Sequence, residues 1–211
     1  MSQTDKILMG SIGLCGLILT AAGFFLAHQS WRAERAAATL DLYSGLSDSP
    51  ETPVWMAQIK SDLAPPRDAR MWELEAERRL RANGLSDSKA AFQFLRQAQN
   101  LAPARPSIRM RQAYLALREP QSTGEFNRYY IDWYTLAPHD TTMQVWRMTI
   151  AAAGWERLTP QARLMALADA EDLCLRWGRA KTLEIAGSGG TAPQLATTLR
   201  LEREKAKCTL P

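Results

Sequence analysis

The sequence predicts an all-α chain: one N-terminal transmembrane helix followed by an α-solenoid of about four helix pairs. Three observations carry this reading. An uncharged run of 21 residues, 7–27, stands near the start of the chain. Two short markers recur downstream with a common period. No stretch shows the strict apolar–polar alternation of a half-buried strand.

Composition narrows the classes first. A chain of 211 residues suits one domain with an appendage rather than three domains. With 46% hydrophobic and 23% charged residues it can bury a core, so it is not disordered throughout. Three Cys and two His leave little room for a disulfide framework or a zinc centre. The net charge of +4 is mild and dispersed, and gives no argument for nucleic acid.

After a short head, residues 1–6, the run ILMGSIGLCGLILTAAGFFLA occupies 7–27. As a helix it spans roughly 30 Å, the hydrocarbon thickness of a bilayer. Lys6 precedes it, and Trp31, Arg32 and Arg35 follow it as interfacial residues do. A cleaved signal peptide is the alternative, with cleavage near Ala21-Ala22-Gly23, but the apolar run continues past that point through Phe24, Phe25, Leu26 and Ala27. Bulky Leu14 before Cys15 argues against a lipoprotein. Gly13, Gly16, Thr20, Gly23 and Ala27 fall on one helix face, where small residues let a second membrane helix approach. The basic residues on the two sides do not decide orientation. A short head and long tail suit an anchor in the bacterial inner membrane with the bulk of the chain in the periplasm.

The repeat begins beyond the anchor, over residues 28–178. Gly-Leu-Ser-Asp-Ser occurs at 45–49 and 84–88, an offset of 39. Leu-Ala-Pro begins at Leu63, Leu101 and Leu136, with offsets of 38 and 35. Glycine ends a helix in a left-handed conformation, and Ser or Asp caps the next. The residue before proline leaves the helical region, so the second helix stops at each Leu-Ala-Pro. The unit is therefore helix, turn, helix, stop. First helices are predicted over 31–44, 66–83, 105–118 and 140–157, and second helices over 52–63, 87–102, 123–136 and 160–177. Thr159-Pro160 forms a cap and first-turn pair, and Asp140 caps the helix after His139.

Side-chain periodicity agrees. Phe126, Tyr129, Tyr130, Trp133 and Tyr134 make a wide apolar stripe expected in the core. Leu164, Leu167, Ala170, Cys174 and Trp177 make a similar one. Glu73, Glu75 and Glu77 read as a solvated face, with Glu75–Arg79 and Glu77–Arg81 pairs. Residues 179–211 form a C-terminal cap and tail. There a short helix over 180–186 leads to the joint Gly187-Ser188-Gly189-Gly190 and a charged last helix over 192–207.

A period of 35–39 with paired helices resembles the tetratricopeptide repeat family in degenerate form. Ala91, Ala98 and Pro103 fall at its small and proline positions, and Trp72 near its aromatic one. Phe126, Trp133 and Tyr114 depart from it, so the family's peptide groove does not carry over. The segment from Leu136 through Trp146-Arg147 and Gly154-Trp155 to Gly178 is similar to small membrane-anchored, repeat-like proteins that accompany bacterial exopolysaccharide assembly and export. That resemblance implies a non-catalytic scaffold whose partners are membrane proteins. An accessory structural subunit of a respiratory, photosynthetic or secretion complex is the alternative.

No catalytic constellation, metal-ligand set or cofactor loop is found. Gly187-Ser-Gly-Gly lacks the Lys-Ser/Thr of a phosphate loop and follows no strand. Cys174 and Cys208 could pair if the tail lies in the periplasm. The candidate binding surface is basic. Residues 66–118 hold eleven Lys/Arg against five Asp/Glu, and Arg78, Arg79, Arg81, Arg105 and Arg109 lie on first helices that could line one concave side. An acidic loop or an anionic polysaccharide fits such a surface, and ordinary solvated helix charge is the competing reading.

Overall fold

A computed structural model describes residues 3–45, 52–64, 67–119 and 122–188. Among these residues the chain is all-helical, with no strand. The eight helices are α1 (Gln3–Gly45), α2 (Thr52–Asp62), α3 (Ala69–Asn83), α4 (Ser88–Leu101), α5 (Pro106–Arg118), α6 (Thr123–Leu136), α7 (Thr141–Ala153) and α8 (Pro160–Ser188). They form two compact units, Met1–Leu101 and Ala102–Pro211.

Helix limits follow the sequence markers. α4 and α6 stop at Leu101 and Leu136, the Leu of each Leu-Ala-Pro, and α2 stops one residue before Leu63. α3 ends at Gly84, whose φ of 61° is the left-handed backbone that disfavours any side chain, and its N–H donates to the Leu80 carbonyl. Asp68 caps α3 by accepting from the Met71 N–H, and Asp140 caps α7 by accepting from the Met143 N–H. Thr159 caps α8, which opens on Pro160. Gly178, at φ 77°, interrupts α8 where the short helix was expected to begin. The first Gly-Leu-Ser-Asp-Ser turn after Gly45, the joint beyond Ser188 and the charged last helix lie outside the described residues.

In the first unit, α1 packs on α2 and α3, and α3 pairs with α4. Ala33, Ala36 and Leu40 of α1 meet Ile59 and Leu63, and Met71 and Leu74 of α3. The small α1 residues let the helices come close. Trp72 stacks on Phe94 at 5.5 Å and joins α3 to α4. In the second unit α5 pairs with α6 and α7 with α8, while α5 also touches α7 and α6 touches α8. Its centre is the aromatic face of α6: Phe126, Tyr129, Tyr130 and Trp133 are all buried. Gly154 lets the end of α7 close onto this face; a Cβ there would come within 2.8 Å of the Phe126 ring and 2.6 Å of Leu117.

Three sequence expectations need correction. Glu73 and Glu75 are not solvated: both are buried, Glu75 to 3% exposure, because this side of α3 packs inward. The buried face of α8 runs through Ala162, Ala166, Ala170, Leu173 and Cys174, whereas Leu164 is 69% exposed and Trp177 also faces out. Alanine wins that face because it allows a close approach of α7 and α6, which leucine would hold apart. Finally, no helix among the described residues is long and apolar enough to cross a membrane. The transmembrane helix expected at 7–27 is thus unsupported on that measure; α1 runs through the segment, but side chains are described only from Ile18 onward.

Candidate functional site

α1 carries the most unusual surface. At 43 residues it extends ~65 Å. Its C-terminal part is core, beginning at the buried Gln29 and continuing through Ala33, Ala36 and Leu40. Every residue from 18 to 28 is exposed, including Ile18, Leu19, Phe24, Phe25 and Leu26, with Phe24 at 76%. Bulky apolar side chains thus point outward around the helix, and no core among the described residues covers them. Thr20, Gly23 and Ala27 of the small-residue stripe are exposed as well, and nothing lies within 4 Å of a Cβ placed on Gly23. The surroundings of Gly13 and Gly16 lie outside the described residues.

Beyond this exposed apolar sleeve, residues 18–27, polarity changes within two helical turns. His28 and Trp31 lie 6.1 Å apart, and the Arg35 guanidinium stacks 4.9 Å from the Trp31 ring. Arg35 Nε donates to Asp62 Oδ2 at 3.1 Å. Arg32 Nε donates to the Asp62 carbonyl at 2.9 Å and another of its nitrogens to the Ala64 carbonyl, closing the C-terminus of α2. Arg70 grips Glu34 with both η nitrogens.

The five arginines of the basic surface are found in different units, Arg78, Arg79 and Arg81 on α3 and Arg105 and Arg109 at the start of α5. All are engaged locally. Arg78 and Arg79 share Glu75, and Arg79 also reaches Asp87 at 3.3 Å. Arg81 bonds Glu77 and the Leu40 carbonyl. Arg105 donates to Ser107 Oγ, and Arg109 to Gln112 Oε1 and toward Asp132 at 3.5 Å. Burial disfavours the Glu75 carboxylate, but the Arg78 hydrogen bond, the charges of Arg78 and Arg67 and the Arg79 bond together hold its pKa below the ordinary carboxylate value.

A second set of arginines, which the reading of the sequence passed over, closes helix ends. Arg147, fully buried, holds Asp169 of α8 through two bonds of 2.6 and 2.8 Å and donates to the Ala137 and Pro138 carbonyls after α6. Arg157 donates to the Ala116, Leu117 and Glu119 carbonyls at the end of α5. Burial pushes the Asp169 carboxyl above its ordinary value, against the pull of the Arg147 bonds and charge. The available signal was Arg147 itself, the sole charged residue of α7, which demanded a buried partner. His139 is exposed in the turn before Asp140.

Cys174 takes part in a disulfide; Cys208, named as its candidate partner, lies outside the described residues. No three His, Cys, Asp or Glu among the described residues are placed to hold a metal ion. No protein-family model, curated protein or solved structure matches the chain.

Proposed function

We propose that the protein is a non-catalytic scaffold, anchored in a bacterial inner membrane by the first part of α1, which presents a tetratricopeptide-like solenoid of paired helices to an envelope complex. The observation that carries this reading is the exposed apolar sleeve at 18–27, followed at once by Trp31 and two arginines. A helix apolar around its whole circumference is stable in hydrocarbon and costly in water. The disulfide at Cys174 favours an oxidising compartment, and hence a periplasmic location for the helical units. An anchor confines the repeat surface to two dimensions and raises its effective concentration at a membrane partner. Exopolysaccharide assembly or export is the process we assign to that partner. The test is affinity purification of the tagged full chain in mild detergent. Membrane proteins of a polysaccharide machine recovered in stoichiometric amounts support the reading; a chain recovered alone contradicts it.

The exposed stripe of Thr20, Gly23 and Ala27 favours a second reading, an accessory subunit held mainly through its membrane helix. In that case Gly16→Leu with Gly23→Leu releases the chain from its complex, while loss of the repeat surface does not. Direct binding of an anionic polysaccharide draws less support, because Arg78, Arg79, Arg81 and Arg109 are already paired with carboxylates. Arg105→Glu with Arg109→Glu abolishing glycan binding is the result that would restore it.

A further inference from the structure

We infer that the end of the first unit beside the α1 sleeve is a lipid-contact face, which lies against the anionic headgroups of the membrane and fixes the tilt of that unit. The inference rests on the anchor reading above and adds a second, electrostatic attachment.

The geometry follows from α1. A bilayer has a headgroup layer of roughly 5–8 Å on each side of its hydrocarbon core. With a rise of ~1.5 Å per residue, Arg32 stands ~7.5 Å along the helix from Ala27, the last residue of the apolar run. Trp31, 53% exposed, lies one residue nearer, where indole rings favour the interface. Neighbouring elements are fastened at the same height. Arg32 bonds the Asp62 and Ala64 carbonyls, which sets the C-terminus of α2 beside the boundary. The Arg70–Glu34 pair sets the N-terminus of α3 there too. Arg67 donates to the Leu63 carbonyl and lies 4.6 Å from the Trp72 ring.

Charge at this end is unbalanced. Residues 28–35 and 57–72 contain Arg32, Arg35, Lys60, Arg67 and Arg70 against Glu34, Asp62 and Asp68. The three carboxylates are all engaged within the fold: Asp62 is buried against Arg35, Glu34 is held by Arg70, and Asp68 caps α3. Arg32 and Arg67 donate to backbone carbonyls instead, so their charge stays uncompensated by a bonded carboxylate. Burial lowers the basicity of Arg67, the Glu75 carboxylate opposes this, and the charges of Arg78, Arg32 and Arg79 add to it. Lys60 is exposed in the last turn of α2. Phosphodiester headgroups supply the missing negative charge, and the juxtamembrane position supplies their concentration.

The experiment places the full chain in nanodiscs of phosphatidylcholine alone or with phosphatidylglycerol, and follows amide exchange at the end of α2 and the start of α3. We expect several-fold slower exchange there with phosphatidylglycerol, reverting to the phosphatidylcholine value in high salt, with α5–α8 unchanged. Lys60→Gln with Arg67→Gln should lose most of the difference. The salt titration of the unaltered chain decides the matter if that variant folds poorly. Equal exchange in the two lipids overturns the inference while leaving the anchor intact, and turns this face toward an acidic protein partner. A chain that does not enter the discs at all overturns the anchor reading, and this inference with it.

Discussion

Arg147 and Asp169 meet with almost no exposure to water, and their bonds reach three elements at once. The guanidinium fork suits this work: two nitrogens hold the carboxylate and the remaining donors close the carbonyls after α6. Asp169→Ala leaves that cation buried without its counter-charge, and should cost about 3–5 kcal/mol of unfolding free energy in denaturant titration. A loss below about 1 kcal/mol would mean that the pair is not what joins α7 to α8. Tyr130 makes the opposite case. Its hydroxyl is buried with no hydrogen-bond partner, and burial, reinforced by the Asp169 charge, pushes its pKa well above the ordinary value. Tyr130→Phe should therefore be neutral or stabilise by about 1 kcal/mol, since it removes an unmade bond.

Helix positions were legible in the sequence because turn chemistry is local. Gly84, Asp140, Thr159-Pro160 and the Leu-Ala-Pro stops act within a few residues of themselves. Helix faces were less legible, because they depend on what packs opposite. On α8 Ala170 and Cys174 of the expected stripe are buried, yet Leu164 and Trp177 face out and Ala162, Ala166 and Leu173 take their place. Leu164→Lys should change stability by less than about 0.5 kcal/mol, whereas Ala166→Leu should cost about 1–3 kcal/mol by overpacking. On α3 the glutamates looked solvated, yet Glu75 is buried between two arginines. Its folded pKa is lowered, so its contribution is complete above the unfolded value of ~4.3 and disappears as pH falls through the folded value. The first unit should therefore weaken below about pH 4 and not between pH 5 and 8. Glu75→Gln should flatten that acid slope when the denaturation midpoint is followed against pH.

For the molecule as a whole, the all-helical class was readable from the sequence, while the division into units at Leu101 was not. The markers repeat across that point, and nothing in a period reveals where contacts thin out. The pairing of the basic surface was hidden for a related reason. A count of charges along the chain does not show that Arg78, Arg79, Arg81 and Arg109 are each met by a carboxylate. What the sequence and the structure share is α1: an uncharged run, exposed side chains around the helix from Ile18 to Ala27, and a sharp change to Trp31, Arg32 and Arg35. Anchoring is the claim on which the scaffold reading depends. Its most direct test is alkaline carbonate extraction of membranes from cells making the tagged full chain. Retention in the membrane pellet, lost when Leu19 and Phe24 are both changed to Lys, is the predicted result. Release of the unaltered chain into the supernatant would contradict the account.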